Sequence, residues 1–243
     1  PDVLNYAWRD YGNRVGVWRC LELFDQLALP VGCLINTALY DYCPEVIEAF
    51  VARGDELIGH GHTNAERQGV LAEADERTLL IDCRRRIEQH TGSAPQGWLS
   101  PWISESMQTS DLLAETGYTY TLNWCHDDQP IAFQTRSGQT LWSIPYPQEL
   151  NDIPMMIVQH HESEYLTRRA IDTFDRLYAE GKDRAKIVTL AIHPYISGQP
   201  HRIKYLEQIY DYVNKHEGVL HWNGEQILDW YLPQAEKELR AAE

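Results

Sequence analysis

Apolar and polar positions along the chain alternate between a helical period and a strand-like period. The period predicts helices over 15–27, 44–53, 74–90, 107–116, 164–180, 202–215 and 223–231. It predicts strands over 29–36, 56–60, 97–100, 118–124, 141–145, 187–193 and 219–222, of which IVTLAIH at 187–193 has the clearest pattern of a buried strand. This alternation favours a parallel-stranded α/β barrel. We expect one domain over 1–243, with a peripheral, frayed tail after about residue 233.

Polar and aromatic residues gather where the predicted strands end. In parallel barrels the carboxyl ends of the strands carry the chemistry, so these positions are the first candidates for a site. They are His60, the segment from Trp98 to Trp102, the pair Asp127 and Asp128, Tyr146, and His193.

His60 lies in the segment GHGHTNAER, where flanking glycines allow a sharp turn. His62 is two residues further, so on an extended backbone the two rings point to opposite faces and do not share a metal. The residue four beyond His60 is Asn64, a poor zinc ligand. A loop of solvated histidines is the alternative, but the strand-end position favours a functional role for His60.

His193 ends the predicted strand IVTLAIH and opens a loop stiffened by prolines. Imidazole titrates near neutral pH and therefore suits proton transfer. The other interpretation is a strand-end histidine bound to a backbone carbonyl. Asp127 or Asp128 is the candidate for the carboxylate that orients this ring, although both also fit a solvated turn before Pro130.

Aromatic residues at the strand ends could form the wall of a pocket for a flat ligand, although such residues are more often part of a core. They are Trp98, Trp102, Trp142 and Tyr146. The chain contains no GxSxG elbow, no P-loop and no GxGxxG motif after a strand. Serine hydrolases, nucleotide hydrolases and dehydrogenases are therefore disfavoured.

Composition narrows the possible partners and the compartment. The net charge is −15, with 36 acidic against 21 basic residues, which disfavours nucleic acid as a ligand. The sequence shows neither a signal peptide nor an apolar run of membrane-spanning length. Its five cysteines lack a CxxC pair and three of them lie in apolar settings, a pattern typical of reduced, buried thiols. We therefore expect a cytoplasmic protein without a membrane partner.

Several motifs together resemble the NodB-homology polysaccharide deacetylases. HGHTN, GWLSPW, NWCHDDQP and LAIHPY occur in the order and rough spacing of that family. NYAWRDYGNRVGVWR, IPYPQELND and HPYISGQPHR look like one branch of it, the uricase-associated allantoinases and bacterial cyclic imide hydrolases. The resemblance covers nearly the whole chain. It implies an α/β fold, a distorted (β/α)7-type barrel, whose first strand would lie upstream of Pro1.

The chain departs from the classical zinc-dependent deacetylases of this family. They bind zinc through an aspartate of an N-terminal motif and two histidines of an HxxxH motif. Here the second histidine position holds Asn64, Leu99 stands at an arginine position, and no TFDD-like segment is present. The resemblance therefore implies no tightly bound metal, although a divalent ion such as zinc at His60 remains an alternative. It also implies a homo-oligomer.

Taken together, these features predict a hydrolase that opens a C–N bond of a small cyclic amide, imide or ureide. In this prediction His60 and backbone N–H groups stabilise the oxyanion, and His193 protonates the leaving nitrogen while Asp127 or Asp128 orients it. Asn64 binds the ring carbonyl or N–H, the base for the water is unassigned, and His60 and His193 face a common cavity. The alternatives are a metal-dependent polysaccharide deacetylase and a non-catalytic binding barrel.

Overall fold

The protein is described from a computed structural model that covers residues 2–242, with side chains described as far as residue 235. The helices of this part of the chain are α1 (Val3–Tyr11), α2 (Val17–Gln26), α3 (Leu39–Tyr42), α4 (Pro44–Arg53), α5 (Glu73–Thr91), α6 (Thr109–Glu115), α7 (Glu164–Glu180), α8 (Ile203–Val213) and α9 (Gly224–Ala242). Its strands are β1 (Gly32–Ile35), β2 (Glu56–Gly59), β3 (Gly97–Trp98), β4 (Tyr120–Thr121), β5 (Ile131–Gln134) and β6 (Thr140–Ser143).

The chain divides into two compact units. The sheet unit comprises Pro30–Ile144 and Trp222–Glu243, and the helical unit comprises Pro1–Leu29 and Pro145–His221. The sheet unit holds a six-stranded sheet in the order β1-β2-β3-β4-β6-β5. Neighbouring strands are parallel except for the antiparallel pair β5 and β6. The predicted parallel α/β architecture is thus confirmed, with one antiparallel strand that the sequence analysis did not predict.

A helix layer covers one face of this sheet. Apolar side chains of α5 and α6 pack there against β3 and β6 in a buried cluster of Leu80, Cys83, Trp98, Leu112, Leu113, Ala114, Tyr118 and Leu141. Helix α4 begins at Pro44 and ends before Gly54, as predicted, because proline suits the first helical turn and Gly54 adopts the left-handed conformation. Cys20 and Cys83 are buried free thiols, as expected for cysteines that belong to a core, whereas the free thiol of Cys125 is exposed.

The helical unit is built on a second apolar core. Its buried members are Leu23, Leu150, Met155, Met156, Leu166, Ala170, Phe174, Ile196, Leu206, Ile209 and Val213. Helices α2, α7 and α8 contribute most of these side chains, in agreement with the helical periods predicted for them. Helix α1, which the sequence analysis did not predict, continues through a π-helical segment (Gly12–Gly16) into α2.

Two predicted strands are wrong. Residues 187–193 form only an isolated bridge between Ala191 and Asn151, and Val188 is 40% exposed. The ladder cannot extend, because the partner strand turns into a π-helical segment directly after Asn151 and Pro194 lacks a backbone N–H. Residues 219–222 form no strand either.

The last helix begins where the sequence predicts it and continues further. The side chain of Asn223 accepts a hydrogen bond from the Gln226 N–H (3.0 Å), as a helix cap does. The predicted fraying after residue 233 falls mostly on residues whose side chains lie outside the described part. None of the described helices combines the length and the apolar character needed to cross a membrane.

Candidate functional site

Polar residues follow four parallel strands at one edge of the sheet unit. Asn36 follows β1, His60 follows β2, and Ser100 and Asn123 lie just beyond β3 and β4. The carboxyl ends of parallel strands meet at the same edge, so these side chains form one polar edge. The sequence analysis placed His60 at this edge and included Ser100 within the segment from Trp98 to Trp102, but it did not single out Asn36 or Asn123.

The ring of His60 is held by a backbone carbonyl. Its Nδ1 lies 2.6 Å from the carbonyl oxygen of Leu99. A carbonyl only accepts, so Nδ1 carries the proton, and Nε2 of the neutral ring is an acceptor. The oxyanion-donating role expected from the sequence therefore requires a charged imidazolium ring.

Asn64 stands where the classical zinc site has its second histidine. Its Oδ1 accepts a hydrogen bond from Asn36 Nδ2 (3.0 Å), and its backbone carbonyl accepts one from the Trp102 indole (2.7 Å). His62 is engaged separately, with Nδ1 3.1 Å from the Thr37 hydroxyl. The described residues contain no cluster of three or more His, Cys, Asp or Glu side chains suited to a metal. The donor set of the described residues therefore does not fit the zinc site of the classical deacetylases.

The structure corrects part of the predicted aromatic wall. Trp98 is completely buried, and its indole N–H donates to Gln68 Oε1 (3.1 Å) and to Ser100 Oγ (3.0 Å). Tyr146 is also buried, with Oη accepting from the Asn151 amide (3.4 Å). Neither ring offers a surface to a ligand. Trp102 does, since it is 62% exposed.

Asp127 and Asp128 form an exposed turn. Asp127 Oδ1 accepts hydrogen bonds from the backbone N–H groups of Asp128 (2.7 Å) and Gln129 (3.0 Å). This is the solvated-turn alternative considered for the pair.

In the helical unit, the carboxylate that contacts His193 is Asp152. Asp152 is completely buried, and its Oδ1 lies 2.7 Å from His193 Nδ1. Its Oδ2 accepts from the backbone N–H of His193 (2.7 Å) and from the hydroxyl of Ser197 (2.7 Å). The sequence analysis assigned the carboxylate that orients His193 to Asp127 or Asp128. In the structure, the carboxylate that accepts the hydrogen bond from Nδ1 of His193 is that of Asp152.

The geometry defines the chemistry of this Asp–His pair. A carboxylate accepts, so Nδ1 of His193 is the protonated nitrogen and Nε2 is the atom available for proton transfer. The imidazole side chain is 26% exposed, which allows a small molecule or water to reach it. Ser197 is buried and donates its hydroxyl proton to Asp152, so it is not a nucleophile activated by His193.

The N-terminal segment packs tightly against the loop that follows His193. A Cβ added at Gly16 would lie 2.1 Å from the Pro194 carbonyl oxygen, and one at Gly198 would lie 2.3 Å from the same atom. Arg19 donates a hydrogen bond to the Gly198 carbonyl. Only glycine allows this approach of backbone to backbone, which fixes the loop and thereby the ring of His193.

Two carboxyl groups escaped the sequence analysis. Asp152 ends the motif IPYPQELND and precedes the apolar segment IPMMIV, so its signals were its place in that motif and an acid at the start of an apolar stretch. Glu105 lies in the loop after GWLSPW and accepts a hydrogen bond from Asn123 Nδ2 (2.5 Å). Its signal was an acid close to a predicted strand end.

Known proteins resemble this chain over most of its length. No family model matches it. A peptidoglycan deacetylase of Helicobacter pylori is 27% identical over 254 residues, covering 91% of this chain and 85% of that protein. The solved structure of Puue allantoinase is 29% identical with a TM-score of 0.87, covering 93% of this chain and 75% of that chain. A probable polysaccharide deacetylase from Pseudomonas aeruginosa PAO1 is 30% identical with a TM-score of 0.84, covering 91% of this chain and 74% of that structure.

Proposed function

We propose, since the chain belongs to the polysaccharide deacetylase family of the NodB type, that it is a hydrolase that opens a C–N bond in a small cyclic amide, imide or ureide. The family supplies the hydrolase class and the fold. The substrate class and the residue roles are the proposal.

The observation that carries the proposal is the Asp152–His193 pair. A buried carboxylate holds the imidazole by Nδ1 and by the backbone N–H of the same residue. Two hydrogen bonds to one carboxylate fix the ring as well as its tautomer. A part-exposed imidazole that is oriented in this way is a typical general acid–base catalyst.

A single oriented imidazole can serve both halves of an amide hydrolysis. Nε2 of His193 takes a proton from water while the water oxygen forms a bond to the ring carbonyl carbon. When the C–N bond breaks, the same Nε2 returns the proton to the leaving nitrogen. The ring-opened product carries an amine, amide or urea nitrogen and a carboxylic acid, which releases its proton to solvent, and the protein ends in its starting protonation state.

Two features favour a cyclic amide over an acetylated sugar. The chain has 29% identity to Puue allantoinase with a TM-score of 0.87. The described residues also lack the donor set of the classical zinc site, since Asn64 replaces its second histidine. Deacetylation of a polysaccharide is the second candidate, and the 27% identity to a peptidoglycan deacetylase supports it.

The test is a ring-opening assay on allantoin, hydantoin, dihydrouracil and succinimide, run beside an acetate-release assay on N-acetylglucosamine oligomers. We expect turnover of at least one cyclic amide with stoichiometric formation of the ring-opened acid. Release of acetate without ring opening would replace the proposal with the deacetylase candidate. Failure of both assays with folded protein would leave a non-catalytic binding protein and refute the proposal.

A further inference from the structure

Glu105 lies at the end of a continuous network of buried hydrogen bonds in the sheet unit. Asn123 is the central link, since its Oδ1 accepts from the Ser100 N–H (2.7 Å) and its Nδ2 donates to Ser100 Oγ (2.9 Å) and to Glu105 Oε1 (2.5 Å). Both amide protons and the amide oxygen are engaged, so the amide cannot rotate. It therefore fixes the carboxyl group of Glu105 at the polar edge.

The network continues into the core on the other side of Ser100. The indole of Trp98 bridges Ser100 and Gln68, and Gln68 Nε2 donates to Glu76 Oε1 (2.8 Å). Glu76 is completely buried and also accepts from the hydroxyls of Ser106 (2.6 Å) and Thr109 (2.5 Å). A fully connected polar network of this kind holds its members in one arrangement.

The loop that carries Glu105 is strained. Trp102 and Ile103 have φ angles of 63° and 53°, in the left-handed region that residues other than glycine rarely adopt. Such a conformation is energetically costly, and in a β-branched residue such as Ile103 it is especially unfavourable. Strain of this kind clusters at ligand-binding and catalytic loops, where the surrounding structure imposes it.

The surroundings of Glu105 leave the carboxyl group with spare acceptor capacity. Burial raises its pKa, while hydrogen bonds from Asn123 and Trp124 lower it and the charge of Glu76 raises it further. A carboxylate has about four lone-pair positions, and these two donors occupy two of them. Trp124 itself is 44% exposed, so a flat apolar surface adjoins the carboxyl group.

We propose that Glu105 binds a ligand within the sheet unit: its carboxyl group accepts a hydrogen bond from the ring N–H of a cyclic amide or imide that lies on the indole of Trp124. This inference rests on the proposed function for its ligand class. A carboxylate selects N–H donors, and the aromatic face suits a planar ring. A purely structural Glu105 would do no more than accept the two protein donors, which a glutamine oxygen does equally well.

The experiment compares succinimide with N-methylsuccinimide, which lacks the N–H. Binding is measured by calorimetry in the His193→Gln protein, so that hydrolysis does not interfere. We expect the His193→Gln protein to prefer succinimide roughly 10- to 100-fold, the usual value of a hydrogen bond to a charged group. Adding Glu105→Ala should abolish this preference, and so should adding Glu105→Gln, because the glutamine oxygen stays with the protein donors and its NH2 group cannot accept from the ligand N–H.

Glu88→Gln, the same change at an exposed position of α5, is the matched control and should leave the preference unchanged. An unchanged preference in both Glu105 variants, or no measurable binding of succinimide, would overturn the assignment. Should Glu105→Ala fail to fold, Glu105→Gln retains the acceptor for Asn123 and decides alone. The wild-type protein could also lack ring-opening activity while the preference for succinimide still depends on Glu105. That result would support the binding site and refute only the proposed hydrolysis.

Discussion

At the scale of single residues, the arrangement around Asp152 makes an unusually specific prediction for Asp152→Asn. The Oδ2 position accepts from two donors, the His193 N–H and the Ser197 hydroxyl, so the oxygen of an asparagine must occupy it. The asparagine NH2 then faces His193 Nδ1, which has to become the acceptor. The proton moves to Nε2, and the imidazole can no longer take one from water.

Asp152→Asn should therefore reduce kcat on the cyclic amide identified by the ring-opening panel by roughly 10²–10⁴-fold, about as much as His193→Gln. The measurement is steady-state kinetics of both variants, with circular dichroism to establish that they fold. Asp175→Asn makes the same change at an exposed position of α7 and should retain activity. Wild-type kcat in Asp152→Asn would exclude the tautomer argument. Wild-type kcat in both Asp152→Asn and His193→Gln would remove the Asp152–His193 pair from the mechanism.

Residue-level prediction from sequence succeeded where position along a strand was enough. His60 follows directly on β2, and the interpretation of Asp127 and Asp128 as a turn was among the alternatives considered. It could not identify Asp152, because the partner of His193 lies 41 residues away in sequence. Pairing of that kind is decided by tertiary packing, which a hydrophobic period does not contain.

At the scale of secondary-structure elements, tertiary packing also explains why the strand predicted at 187–193 does not form. The segment is apolar and rich in β-branched residues, yet a strand also needs a partner of matching length. Its partner supplies one rung at Asn151 and then turns away into Ile153–Val158. By contrast, α4 and α7 were predicted with their observed bounds, because capping residues and apolar period are local signals.

Glu56 connects strand β2 to the start of α9. Its Oε2 accepts from the backbone N–H groups of Gly224 (2.7 Å) and Glu225 (3.2 Å), and its Oε1 accepts from the Tyr120 hydroxyl. Burial, with a smaller contribution from the neighbouring Glu225, nevertheless raises the pKa of Glu56 to about 7, against an ordinary value of 4.5. The protonated acid is thus retained in the folded state at pH values where the unfolded chain has lost its proton.

The sign of the pH dependence follows from this difference. The contribution of Glu56 to stability is fully present below pH 4.5 and is lost as pH rises through about 7. We expect the free energy of unfolding of wild type, relative to Glu56→Gln, to fall by roughly 3 kcal/mol between pH 4 and pH 8. Urea unfolding at several pH values measures it, with Glu48→Gln on the exposed face of α4 as the control. A difference that stays constant or rises with pH would contradict the prediction.

At the scale of the whole molecule, the fold class was predictable from the sequence, and so was the departure from the zinc-binding residues of the classical deacetylases. Alternating periods indicated parallel α/β architecture, and the similarity to NodB-type structures agrees with it. The antiparallel strand β5 was not predictable, because the short segment 131–134 carries no strong period. Asparagine at position 64 was visible in the sequence. The structure adds that Asn64 accepts hydrogen bonds from the side chains of Asn36 and Trp102.

Zinc binding would change the stability and the metal content of the whole protein. A ligand that binds only the folded state stabilises it by about 2.7 kcal/mol at 100 times its Kd, so a real zinc site raises the melting temperature on addition of zinc. With Asn64 at the second histidine position, and no cluster of His, Cys, Asp and Glu suited to a metal in the described part of the chain, we expect no such rise at equimolar zinc.

We also expect purified protein to contain well below one zinc per chain by elemental mass spectrometry. His60→Ala, compared with His90→Ala at an exposed position, should leave the zinc content unchanged. Stoichiometric zinc that is lost specifically in His60→Ala would show that His60 binds the metal together with donors other than Asn64, and would move the proposed function toward the deacetylase candidate.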